Sequence, residues 1–91
     1  YFVINSDLDS KHVAVLKPKL EALLDGNGQH IILDFSAVEF IDSTGIGAIV
    51  FLFKRLTSQK RKLSLLSVSG QPHKLMTMLR VNNAIPFIEK A

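Results

Sequence analysis

The chain has 91 residues, with 47% hydrophobic and 21% charged residues and no cysteine. That length suits a single domain, and the balance is that of a globular chain rather than a disordered one. Disulfides and thiolate metal sites are excluded, and an intracellular, cytoplasmic home is expected. The net charge of +3 comes from basic residues scattered over several segments. A nucleic-acid surface concentrates them on one face with interleaved aromatics, so no nucleic-acid partner is expected.

No apolar run reaches the roughly 18 residues that a membrane-spanning helix needs. The longest, Ile46 to Phe53, stops at Lys54-Arg55, so no membrane insertion is expected. The N-terminal "YFVI" has no basic leader and no cleavage site, and reads as the start of an excised domain or of its first ordered strand.

Residues 2–4, "FVI", read as a strand ending at the polar turn "NSDLDS". Val13, Leu16, Leu20, Leu23 and Leu24 then recur at three- and four-residue spacing, one face of a helix. Pro18 lies within that pattern, where a proline removes a backbone hydrogen bond. Either a kink near residues 14–18 or a helix that becomes regular there is expected. "DGNG" at 25–28 stops the helix.

"HIILDF" at 30–35 is a continuous apolar run, expected as a strand buried on both faces of a parallel sheet. A helix runs from Ser43 or Thr44 to about Ser58. The strand "KLSLLSV" follows at 62–68, then a helix capped within 69–71 with Pro72 at its first position. "NN" at 82–83 is a turn, and "IPFI" at 85–88 a short edge strand. The order β-α-β-α-β-α-β implies one small α/β domain over residues 1–91, with a mostly parallel sheet and right-handed crossovers.

The stretch "FIDSTGIG" at 40–47 sets Asp42, Ser43 and Thr44 between two apolar segments, in a loop leaving the carboxyl end of a strand. Function concentrates in such loops of open α/β sheets. Asp and Ser also cap helices, which accounts for one of the three polar residues and leaves two over. Gly45 and Gly47 sit in the first turns, where each costs about 0.5–1 kcal/mol relative to alanine. Their presence suggests a close approach to the backbone. A hydroxyl at a helix start suits a phosphate, because free N–H groups and the positive end of the helix dipole favour an anion.

"IILDFSAVEFIDSTGIGAIVFLFKRL", together with Leu8-Asp9 in "NSDLDS", resembles the STAS domains, the sulphate transporter and anti-sigma factor antagonist family. The likeness covers nearly the whole chain and is nearest to the bacterial antagonists. Ser6 stands where those carry glycine, "SQKRK" replaces their usual glycine-containing turn, and the family's terminal helix is not found after residue 88.

The resemblance implies that Ser43, following Asp42, is the residue phosphorylated by a partner kinase, with Thr44 as second choice. It implies a partner-binding surface at Leu8, Asp9, Ser36, Asp42, Ser43, Thr44, Gly45 and Ile46. The implied partners are an anti-sigma factor that is itself a serine kinase of the GHKL type, and a phosphatase. No cofactor, no metal and no enzymatic activity are implied. The alternative is the cytosolic domain of a membrane anion transporter, which the Leu8-Asp9 turn disfavours, or another STAS regulatory module.

The remaining candidates read as structure. His12, His30 and His73 stand singly with no nucleophile motif beside them. Gly45-x-Gly47 lacks the third glycine of a dinucleotide site. Lys54, Arg55, Lys60, Arg61 and Lys62 read as a solvated helix end and turn, and "AIVFLF" as core.

Overall fold

A computed structural model describes residues 1–89. The elements are β1 (Phe2–Val3), α1 (Ser10–Leu24), β2 (His30–Asp34), α2 (Ser43–Ser58), β3 (Lys62–Leu66), α3 (Gly70–Met78), a 3-10 turn (Val81–Asn83) and β4 (Phe87–Ile88). The four strands form one parallel sheet in the order β1-β2-β3-β4. The expected α/β order is therefore found.

Strand order that follows chain order has a consequence for layering. Each crossover moves one strand in the same direction, so right-handed crossovers return all three helices on one face. The register pairs Ile31 with Leu63 and Leu33 with Leu65, and Phe2 with Leu33, which sets these side chains on the helix-covered face. Ile31, Leu33, Leu63 and Leu65 join Val13, Leu16 and Leu20 of α1, Ile49, Leu52 and Leu56 of α2 and Met76 of α3 in one core cluster, with the half-buried Phe2 packed against it. Among the buried hydrophobics of the described residues, Leu66 alone lies outside that cluster, on the opposite face.

This corrects the reading of 30–35. β2 is not buried on both faces: Ile31 and Leu33 are buried, Ile32 and Asp34 only half-buried, and His30 is exposed. The strand buried along nearly all its length is β3, from Leu63 to Leu66, between β2 and β4. The apolar run of β2 is fully buried only on the face that joins the core, at Ile31 and Leu33.

Pro18 neither starts nor interrupts α1, which runs on from Ser10. Its missing N–H leaves the Ala14 carbonyl without a helical partner, but both residues are exposed, so that oxygen is open to solvent rather than stranded in the core. Burial of Leu16 and Leu20 on either side of the proline level holds the helix to the core. In α3 the helix begins at Gly70, so Pro72 takes the third position rather than the first, and is fully buried.

The "SQKRK" turn also differs from its reading as a solvated cluster. Arg61 is buried, and its guanidinium donates to the carbonyl oxygens of Leu23 (3.0 Å) and Leu24 (3.3 Å) and to that of Gly28. It thereby closes the carboxyl end of α1, where a cation also meets the negative end of the helix dipole. Lys60 takes the left-handed conformation (φ 60°) that glycine adopts more cheaply. Lys60 N donates to Thr57 O and Arg61 N to Leu56 O, the paired bonds of a Schellman helix end. Among the described residues no helix is long and apolar enough to cross a membrane.

Candidate functional site

The loops at the carboxyl ends of β1 and β2, residues 5–9 and 35–42, meet beyond the sheet. Leu8 and Ile41 form an isolated parallel bridge, with Leu8 N donating to Phe40 O (2.9 Å) and Asp42 N to Leu8 O (3.2 Å). Both side chains are fully buried. In a strand, alternate backbone groups point to opposite sides. The N–H and carbonyl of Ile41 therefore face away from Leu8, and both are met by the Gln71 amide, at 2.9 Å in each case. One side chain from the start of α3 thus fills the place of a further strand.

Two more contacts shape the loop. The Asp7 carboxylate accepts from Glu39 N (3.0 Å) and Phe40 N (3.1 Å). Asp34 accepts from Ser36 N (2.8 Å) and from the Tyr1 hydroxyl (3.1 Å), and hydrogen bonding by Ser36 holds its carboxyl below the usual carboxylate range. The Tyr1 phenol is raised by the same Asp34 contact.

The aspartates at the helix starts settle who caps what. Asp9 caps α1, accepting from His12 N at 2.9 Å, with His12 Nδ1 2.8 Å away; the His12 backbone N–H is the main cause of its lowered pKa. Asp42 caps α2 through one oxygen, accepting from Gly45 N (3.0 Å). Its other oxygen accepts from Ser10 N (3.3 Å), at the start of α1. One carboxylate therefore spans two adjacent helix N-termini, where the dipoles favour negative charge.

Since Asp42 is the cap, Ser43 is released from that duty. Ser43 and Thr44 are the first two residues of α2 and both are exposed. Gly45 is required by packing: an added Cβ would lie 2.2 Å from Leu8 O and 2.7 Å from both the Leu8 Cβ and Ile41 Cγ1. Gly47 has nothing within 4 Å of that position, so packing does not account for it.

Of the sequence-derived site residues, Asp9, Asp42, Ser43 and Thr44 gather at the paired starts of α1 and α2. Ser36 is exposed on the loop that leads to them. Leu8 and Gly45 are buried, so they shape the loop from inside rather than offer surface. Ile46 is partly buried against the core. Asp7 and Gln71 were missed. Asp7 lies in the quoted "NSDLDS" turn, where an aspartate commonly binds backbone N–H groups, so its type was a usable signal. Gln71 lies 30 residues from Ile41 and carries no local signal.

The STAS domain model matches residues 1–90. The chain belongs to the STAS family. Solved structures with the same fold include a putative anti-sigma factor antagonist from Thermotoga maritima (21% identity, TM-score 0.87, covering 97% of this chain and 78% of that one). A second is an anti-sigma-factor antagonist (STAS) domain protein from Planctomyces limnophilus, with 22% identity, a TM-score of 0.82, and 92% and 73% of the two chains covered. The anti-sigma factor antagonist SpoIIAA in its unphosphorylated form matches at 24% identity and a TM-score of 0.70, over 98% of this chain and 76% of that chain. No curated protein sequence matches the chain. At these identities the structural neighbours establish the STAS fold, and this STAS domain resembles anti-sigma factor antagonists.

Proposed function

We propose that this STAS domain is a phosphorylation-controlled interaction switch in the cytoplasm, acting as an antagonist of an anti-sigma factor. The unmodified loop around Ser43 docks on a serine kinase of the GHKL type, which phosphorylates Ser43. The added charge ends the complex, and a phosphatase restores the docking form. The domain itself carries out no chemistry in this scheme: it supplies a hydroxyl and a shape.

The observation that supports the reading most is the division of labour at the start of α2. Asp42 takes the capping role, leaving an exposed serine at the first position of α2, directly after a loop pinned by Asp7, Gln71 and the Leu8–Ile41 bridge. A pinned hydroxyl presents one geometry to a kinase, which lowers the ordering cost of docking. A phosphoryl group there adds about −1.5 to −2 charges beside the Asp42 carboxylate. An interface built for the unmodified surface would then face an unpaired, desolvated anion, which costs several kcal/mol.

The partner class rests on the family and on the likeness to structures of anti-sigma factor antagonists. Incubation with the cognate kinase and ATP, followed by mapping of the phosphate, tests the reading. Modification at Ser43 is expected. Modification confined to residues other than Ser43 and Thr44 would overturn it.

A further inference from the structure

The outer seam between α1 and α2 holds a cleft of about 230 Å³, floored by Val13, Leu20, Ala48 and Leu52. Its α2 wall carries two residues of opposite shape one helical turn apart. Gly47 presents bare backbone with open space above it, and Phe51 presents a ring that is 44% exposed. The Arg55 guanidinium lies over that ring, 5.7 Å from its centre.

The charges around the seam are equally two-sided. Lys17, Glu21, Asp25 and Arg55 line the cleft and its continuation towards the end of α1. Among the described residues none of the four belongs to an ion pair. Two cations and two anions therefore stand unmatched around one apolar seam.

We infer that this face binds a second copy of the chain, α2 crossing α2 antiparallel about a twofold axis between Gly47 and Phe51. Residues four apart on a helix share a face and lie about 5–6 Å from each other. A twofold axis midway between them places each Phe51 over the second copy's Gly47, filling both hollows at once. An isologous interface needs one surface that complements itself. A hole beside a knob, ringed by equal numbers of unpaired positive and negative groups, meets that requirement. A partner of single charge sign would leave half of the ring unmatched. The seam is small, so the dimer belongs to the weak, concentration-dependent class.

The reading does not depend on phosphorylation of Ser43, and its test is separate. Sedimentation of the whole protein from about 10 μM to about 1 mM, the range suited to a weak association, is expected to show a mass rising towards that of a dimer. Phe51→Glu and Gly47→Leu change exposed positions, so circular dichroism is expected to stay native while association falls at least about tenfold.

Because the chain has no cysteine, single thiols report the geometry directly. A mixture of Gly47→Cys and Phe51→Cys is expected to form a disulfide-linked dimer about tenfold faster than either variant alone, and faster than Val15→Cys, which lies on an exposed face of α1 away from the seam. A protein that stays monomeric at every concentration would overturn the inference. So would equal cross-linking in all mixtures, or binding of the apolar dye ANS at the cleft without any change in mass.

Discussion

Gly45→Ala and Gly47→Ala are the same chemical change two residues apart, and the structure gives them opposite signs. At Gly45 the new methyl would sit 2.2 Å from Leu8 O, a backbone atom that no rotamer change can move aside. Forcing a methyl into a filled site costs about 1–3 kcal/mol. The struck oxygen also accepts from Asp42 N, and losing that bond adds about 0.5–1.5 kcal/mol. Alanine's better helix propensity offsets about 0.5–1 kcal/mol. The net expectation is a loss of about 2–3 kcal/mol, equivalent to roughly 10–20 °C in Tm for a domain of this size. At Gly47 nothing lies within 4 Å, so only the propensity gain remains and stability rises by about 0.5–1 kcal/mol. Urea unfolding at low protein concentration, followed by far-UV circular dichroism, measures both. A Gly45→Ala protein within about 0.5 kcal/mol of the parent would refute the close packing of α2 on the Leu8–Ile41 bridge, because such a contact cannot be relieved so cheaply.

Ser43→Asp is expected to weaken kinase binding by about tenfold or more in calorimetry while Ser43→Ala keeps it; equal affinities would count against an electrostatic switch. Gln71→Ala leaves the N–H and carbonyl of Ile41 unpaired at a part-buried site and is expected to cost about 1–3 kcal/mol in urea unfolding, whereas Gln71→Glu keeps only the contact to the N–H and should fall at least part-way. Lys60→Gly relieves a left-handed backbone and is expected to stabilise by about 0.5–1 kcal/mol, seen as a higher urea midpoint with an unchanged slope. Asp9 and Asp34 both have lowered pKa values, so their contribution is present above the unfolded carboxylate value near 4 and is lost as pH falls through the lower folded values. Thermal midpoints should therefore drop between about pH 5 and pH 2, and drop less steeply in a protein carrying Asp9→Asn and Asp34→Asn; an unchanged pH slope would contradict the role of these two groups.

The parts of the fold that were legible in the residues are those set by local period and punctuation. The spacing of Leu16 and Leu20, the stop at "DGNG" and the β-branched and leucine-rich strands each announce themselves within a few residues. What was not legible depends on groups distant in the chain. The apolar run of β2 does not say how much of each face will be covered. Arg61 looks like its basic neighbours in sequence, and its burial is decided by the carbonyls of Leu23 and Leu24 at the end of α1 and of Gly28 just beyond it. Pro18 looks disruptive by type, and its tolerance depends on the exposure of Ala14. At the candidate site, Ser43 and its neighbours stood out because three polar residues exceed what a helix cap needs. Leu8 and Gly45 also stood out, but as contact surface, and only the packing shows that they work from the interior.

The four consecutive amides from Glu39 to Asp42 donate in turn to Asp7, Asp7, Gln71 and the Leu8 carbonyl. Every one of those acceptors lies at least 30 residues away in sequence. Beyond the local turn that Val38 N makes with Phe35 O, this part of the loop is held by contacts distant in the chain. Its ties run to the 5–9 turn and to α3, so its order depends on those elements staying docked. Hydrogen exchange at these four amides should therefore follow the cooperative unfolding of the domain, not the rapid local opening usual for a surface connection. The segment that presents Ser43 would be among the slowest-exchanging loops in the protein, and a chain that had not finished folding would have no such loop to present.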